Sequence, residues 1–87
     1  MNTLYYVELF RQSDTNTCYW SKVFNSQSSA KKLYRQELEY EASDKIENYK
    51  IFSDDELIEE LYSYIRRGEM AINYEFYLIC EKLEIHD

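Results

Sequence analysis

The sequence is poor in the residues that phosphate-binding, metal-binding and catalytic sites most often need. Among its 87 residues, Gly68 is the only glycine, His86 is the only histidine and proline is absent. One glycine excludes a Gly-rich loop that cradles phosphate. One histidine, even with Cys18 and Cys80, supplies too few ligands for a zinc site and no catalytic Ser–His or Cys–His arrangement. We therefore predict that the chain is not an enzyme and binds no cofactor or metal.

The two cysteines lie far apart in the sequence and outside any CxxC motif. Reduced cysteine behaves as a small hydrophobic residue, and disulfides need an oxidising compartment that nothing in the sequence suggests. We expect Cys18 and Cys80 to be buried thiols.

Aromatic residues, in contrast, are abundant. The chain contains ten tyrosines, four phenylalanines and one tryptophan, whereas disordered acidic chains contain few aromatic residues. Residues 1–87 are therefore predicted to form a single folded domain. The sequence shows no signal-peptide pattern and no apolar run near the roughly 20 residues that span a membrane, so a cytoplasmic location is expected.

Negative charge dominates and is concentrated in the middle of the chain. The net charge is −7, and residues 37–60 hold ten acidic and two basic side chains. Such a surface repels nucleic acid and anionic membranes, because binding to phosphate requires a basic surface. It attracts basic proteins and speeds their encounter. A basic protein surface is therefore the expected partner, and direct binding to nucleic acid or membrane is not predicted.

Alternation of apolar and polar residues predicts β-strands in three segments. The predicted strands are residues 4–12, 18–24 and 73–83. In the first strand, Val7 and Leu9 are expected on one face, and Tyr6 and Phe10 on the other. The unbroken apolar run at 76–80 predicts that the third strand is central, with both faces at least partly covered.

The second of two predicted helices, residues 54–67, carries a strong signal at its start. Ser53 is the predicted N-cap, and Glu56 three residues later completes a capping box. Phe52 and Leu57 have the spacing of a hydrophobic staple. Acidic residues fill the first turn, where the helix dipole stabilises negative charge.

The first predicted helix, residues 27–42, begins after Ser26, the favoured N-cap. Its apolar residues follow helical spacing, but Glu37 and Glu41 fall within the same arc. Two interpretations remain open. Either the helix runs past the edge of the core and leaves both carboxylates in water, or a mixed Tyr–Glu face is a binding surface.

Residues 48–52 are either a short strand or an apolar lead-in to the second helix. The element order is accordingly ββα(β)αβ. This order predicts an α+β domain in which a three- or four-stranded antiparallel sheet is covered by two helices.

In size, charge and the acidic run SDDELIEEL at 53–61, the chain resembles small phage-encoded anti-defence proteins such as anti-CRISPR inhibitors. Several of those proteins mimic nucleic acid. The resemblance implies that the chain acts in the host cytoplasm and blocks a nuclease or effector complex by occupying its nucleic-acid or recognition-motif site. It transfers no functional residue.

The leading hypothesis is a non-enzymatic acidic protein that docks on a basic, nucleic-acid-binding surface of a partner and inhibits it. The two helices are expected to present a discontinuous row of carboxylates with one tyrosine as an anchor. This acidic row comprises Glu37, Tyr40, Glu41, Asp54, Asp55, Glu56, Glu59 and Glu60. Binding through the strands, with Tyr6, Phe10 or Trp20, is the alternative contact. The alternative function is a homodimerising structural or regulatory domain that pairs at an open strand edge.

Overall fold

The computed structural model describes residues 2–67 and 74–85, which form an α+β fold. The elements are β1 (Asn2–Gln12), β2 (Thr17–Phe24), α1 (Gln27–Ala42), a 3₁₀ turn (Tyr49–Ile51), α2 (Asp54–Arg66) and β3 (Glu75–Ile85). The predicted fold class is confirmed, with three strands in the described residues. The predicted start of the third strand, residue 73, lies outside them. No helix in the described part of the chain combines the length and apolar character needed to cross a membrane.

The sheet is antiparallel with the strand order β2-β1-β3. The β1–β2 hairpin occupies one side of β1, so the chain that returns from the helices pairs on the other side. The prediction that the apolar run at 76–80 marks a central strand is therefore wrong, because β1 is central and β3 lies at an edge. Its apolar side chains still alternate between two faces, one towards the helices and one away from them.

Both helices begin at their predicted caps. The Ser26 hydroxyl accepts a hydrogen bond from the Ser29 N–H at 3.3 Å. In α2, the Ser53 hydroxyl accepts from the Glu56 N–H at 3.2 Å, and the Glu56 carboxylate accepts from the Ser53 N–H at 2.9 Å. The capping box is thus complete, and it satisfies two of the N–H groups that a helix start leaves unpaired.

The segment before α2 is a lead-in and not a strand. Residues 49–51 form a single 3₁₀ turn that begins after Asn48, whose φ of 59° places it in the left-handed region. Asparagine tolerates this conformation better than most residues. Phe52 is half-buried and packs against the core cluster that contains the buried Leu57, which is compatible with the predicted staple.

Both helices pack on the same face of the sheet. Strand and helix side chains share one buried cluster of Val7, Leu9, Ala30, Leu38, Ala42, Leu57, Leu61, Phe76 and Leu78. The predicted split of β1 is confirmed, because Val7 and Leu9 lie in this cluster and alternate with Tyr6 and Phe10. We call this covered side the inner face of the sheet, and the opposite side the outer face.

Ser53→Ala is expected to lower the free energy of unfolding by about 1 kcal/mol, because the variant loses the N-cap acceptor of α2. Ser29→Ala is a matched control, since the Ser29 side chain is exposed and only its backbone N–H takes part in a described cap. Urea denaturation followed by circular dichroism measures both variants. Equal midpoints for the two variants would contradict a stabilising cap at Ser53.

Candidate interaction surfaces

The acidic row does not form one continuous surface, because Glu41 is buried. Its side chain is 4% exposed. The Glu41 carboxylate accepts hydrogen bonds from Arg11 Nε at 2.6 Å, from Lys45 Nζ at 2.8 Å and from the Tyr74 hydroxyl at 2.7 Å. Of the two interpretations left open for this helix, the one that places Glu41 in water is therefore wrong. Arg11 lies near the end of β1, and its side chain contacts the Glu41 carboxylate at the edge of the core.

We call Glu41 and its three donors, Arg11, Lys45 and Tyr74, the Glu41 cluster. The donors keep the Glu41 carboxylate in its charged form. Burial acts to raise the pKa of Glu41, but the hydrogen bonds from Lys45, Tyr74 and Arg11 outweigh it and keep the pKa below its ordinary value. Burial acts to lower the pKa of Lys45, and its hydrogen bond to Glu41 raises it above the ordinary value. The cluster is a structural element, and Glu41 is not available to a partner.

Two further members of the acidic row are engaged within the protein. The Asp54 carboxylate accepts from Arg35 Nη1 at 3.0 Å, and Arg35 Nε also donates to Glu39 at 2.9 Å. Arg35 therefore places a cation between α1 and the start of α2, within the row. The Glu56 carboxylate is occupied in the capping box, and this bonding holds the pKa of Glu56 below its ordinary value.

The other members of the row remain on the surface. Asp55, Glu59 and Glu60 are exposed and have no hydrogen bond or ion pair to any described residue. Glu37 is half-buried, and Tyr40 is 71% exposed with the Arg11 guanidinium 5.8 Å from its ring centroid. The row is thus reduced to a small group of solvated carboxylates on the helix side of the sheet.

The outer face of the sheet is a second candidate surface, and no described helix covers it. Strand register places alternate residues of the three strands there. They are Leu4, Tyr6, Glu8, Phe10, Gln12, Thr17, Tyr19, Ser21, Val23, Glu75, Tyr77, Ile79, Glu81 and Leu83. Aromatic and aliphatic side chains predominate, and Tyr19, Val23 and Leu83 are 58%, 60% and 45% exposed.

The outer face carries acidic residues but no cation at any position in the described strands. The basic residues of these strands are Arg11, Lys22 and Lys82, and all three occupy positions of the inner face. The carboxylates of the outer face therefore lack a basic residue beside them on the sheet.

Tyrosine hydroxyls donate to two of the outer-face carboxylates, Glu8 and Glu81. Tyr19 donates a hydrogen bond to Glu8 Oε2, and Tyr6 donates to Glu81 Oε2 at 2.7 Å. These hydrogen bonds raise the pKa of Tyr19 and of Tyr6, so both hydroxyls remain donors. Tyr77 stacks on Phe10 with ring centroids 5.5 Å apart. Its pKa is raised by burial and then by Glu8.

Of the residues predicted for an alternative contact through the strands, Tyr6 and Phe10 lie on the outer face. Trp20 does not, because it pairs with Leu9 on the inner face, where it is half-buried against the core. The two cysteines also lie on the inner face without a disulfide, but they are half-buried and not fully buried as predicted.

The outer face and the solvated carboxylates of α2 lie on opposite sides of the sheet, so one flat partner surface contacts one or the other. Sequence patterns revealed the alternation within each strand, but the composition of the whole face depends on how the three strands align.

Comparison of the chain with protein-family models, with curated proteins and with solved structures found no match.

Proposed function

We propose that the chain is a non-enzymatic binding protein that docks on a basic surface of a partner protein through its outer face and inhibits that partner. A protein that handles DNA or RNA is the proposed class of partner, because its nucleic-acid-binding surface must be basic. The observation that carries the proposal is the sheet face itself. It is aromatic, acidic and free of cations in the described strands.

The size of the outer face supports a protein partner. The strands span 11, 8 and 11 residues, and at about 3.4 Å per residue and 4.8 Å between strands they cover roughly 500 Å² in projection. Aromatic and aliphatic side chains occupy part of this area, and exposed apolar patches of a few hundred Å² commonly mark interaction sites. Tyrosine suits this role because it combines a large apolar ring with a polar hydroxyl.

The solvated carboxylates of α2 have a different role in this proposal. Asp55, Glu59 and Glu60 face away from the outer face, so they are expected to add long-range attraction for a basic partner and few direct contacts. Attraction of this kind raises the association rate and is screened by salt.

Homodimerisation is supported less well. The edge of β3 is occupied at Leu78, because the Tyr62 hydroxyl lies 3.3 Å from the Leu78 nitrogen and 3.5 Å from the Leu78 carbonyl oxygen. Strand pairing at this edge would have to displace Tyr62. Stacking of two outer faces would bring Glu8 of each copy, on the central strand, close to the other without a cation between them, which is unfavourable.

The experiment that tests the proposal begins with capture of the partner from a lysate of the source cells on the immobilised chain. The purified partner is expected to be basic, to lose its activity on nucleic acid when the chain binds, and to associate more slowly as NaCl rises. An acidic partner, or an association rate independent of NaCl, would overturn the proposal.

Reversing charge on α2 is expected to slow association several-fold at low salt while the dissociation rate stays unchanged. The variant is Glu59→Lys with Glu60→Lys, since neither carboxylate has a described structural partner. Asp14→Lys with Glu47→Lys is the control, because both residues are exposed and the change in net charge is the same. Stopped-flow or surface plasmon resonance measures both rates. A much faster dissociation of the α2 variant would show that the acidic row contacts the partner directly.

A further inference from the structure

The geometry points to Glu8, between Tyr19 and Tyr77 on the outer face, as the receptor for an arginine side chain of the partner protein. This inference rests on the proposed function and specifies the contact at its centre. The occupant is a protein segment that presents arginine among apolar side chains.

Glu8 lies in the middle of the outer face. It belongs to the central strand and is paired with Ser21 of β2 and Ile79 of β3. Tyr19 and Tyr77 are both paired with Phe10, and so they flank Glu8 diagonally from the two neighbouring strands. The carboxylate is thus bordered by aromatic rings on both sides and by the small Ser21 side chain opposite.

No basic residue of the described strands lies on the same face as Glu8. Glu8 makes no ion pair with any described residue, although it accepts a hydrogen bond from Tyr19. By contrast, the buried Glu41 of α1 has two cations, Arg11 and Lys45, at hydrogen-bond distance. The same protein therefore pairs its buried carboxylate internally and leaves the outer-face carboxylate for a cation from elsewhere.

Arginine matches this arrangement better than lysine. A guanidinium is planar, donates two parallel hydrogen bonds to a carboxylate and stacks on aromatic rings. The positively charged guanidinium also interacts favourably with the faces of tyrosine and phenylalanine rings. Apolar Ile79 and Phe10 beside Glu8 exclude water from the pair, which strengthens its charge-assisted hydrogen bonds.

Other occupants fit less well on the same grounds of charge. A nucleic acid would place phosphates on a face whose charged residues are all acidic in the described strands. A second copy that docked through its own outer face would bring another Glu8 and no cation from the described strands.

The test titrates the isotopically labelled full chain with N-acetyl-arginine amide and follows backbone amide shifts by NMR. N-acetyl-citrulline amide, which has the same shape without the charge, is the matched ligand. Arginine amide is expected to change the chemical shifts of backbone N–H groups around Glu8, Tyr19 and Tyr77. Citrulline amide is expected to bind at least about tenfold more weakly, because it cannot form a charge-assisted hydrogen bond.

Glu8→Gln is expected to lose the preference for arginine over citrulline, and Glu81→Gln to keep it. Glutamine retains an oxygen that accepts from the flanking tyrosine, so both variants are expected to fold. Three results would overturn the inference. Arginine amide could cause the same amide shifts in Glu8→Gln, or its shifts could map to α2. The same shifts could also appear without ligand as the protein concentration rises, which would indicate self-association. The proposed function is tested separately, by the partner binding of the Ile79→Lys variant described below. If that variant binds the partner more weakly, the outer face remains the docking surface even where the arginine inference fails.

Discussion

Glu41→Ala is expected to lower the free energy of unfolding by about 3–5 kcal/mol, the loss typical when a buried ion pair is broken by removing one partner. The variant leaves Lys45, whose side chain is 8% exposed, and Arg11, 26% exposed, without the carboxylate that both contact. The total stability of a domain is only about 5–15 kcal/mol. The urea midpoint should therefore fall steeply, or the variant should be unfolded in water.

Glu39→Ala provides the matched control. Glu39 also pairs with an arginine, but its side chain is 33% exposed, and exposed pairs contribute about 0–1 kcal/mol. Equal losses for the two variants would show that the Glu41 cluster is not the buried element described above.

The pH dependence of unfolding gives a further measurement on the same cluster. The pKa of Glu41 is lower in the folded than in the unfolded chain, so its contribution is present above the ordinary glutamate pKa. It is lost as pH falls through the lowered folded pKa. Acid should therefore destabilise the parent chain more than Glu41→Gln, which cannot titrate at this position. Parallel pH profiles would contradict this assignment.

Ile79→Lys is expected to weaken partner binding at least about 100-fold, which corresponds to about 2.7 kcal/mol. Residue 79 lies directly opposite Glu8 on the outer face. A lysine there can pair with Glu8 across the strands, which favours folding. It also adds a cation to the face that is proposed to dock on a basic surface, and it occupies the carboxylate proposed to receive arginine.

Ile51→Lys is the matched control for this effect. Ile51 is 79% exposed on the 3₁₀ turn before α2, so the same substitution makes the same change in charge away from the outer face. Isothermal titration calorimetry with the purified partner measures both affinities, and circular dichroism checks that both variants fold. Similar affinities for the two variants would exclude the outer face as the contact surface.

The parts of this fold that follow local rules were predictable. The two N-caps and the capping box of α2 depend on residues at most three positions apart, and alternation within a strand depends on neighbours two positions apart. Ser26, Ser53 and the split of β1 into two faces were therefore correctly predicted. The net charge also follows directly from composition.

The order of the strands did not follow from local pattern. The apolar run at 76–80 is equally compatible with a central strand and with an edge strand that is apolar on both sides. In the structure β2 pairs with one side of β1, and after the two helices the chain pairs with the other side as β3. Such long-range pairing places β3 at an edge and leaves its outer side chains beside Tyr6 and Phe10.

The candidate sites show the same division between local and long-range information. A pairing of Glu41 with Lys45 is suggested by their i, i+4 spacing, but Arg11 and Tyr74 come from distant strands, and only packing brings them to one carboxylate. The cation-free outer face likewise exists because strand register aligns three separate alternations so that Arg11, Lys22 and Lys82 all fall on the other side. Composition and local periodicity therefore predict an acidic α+β binding protein. Contacts between residues far apart in the chain decide which carboxylates are buried and which remain available to a partner.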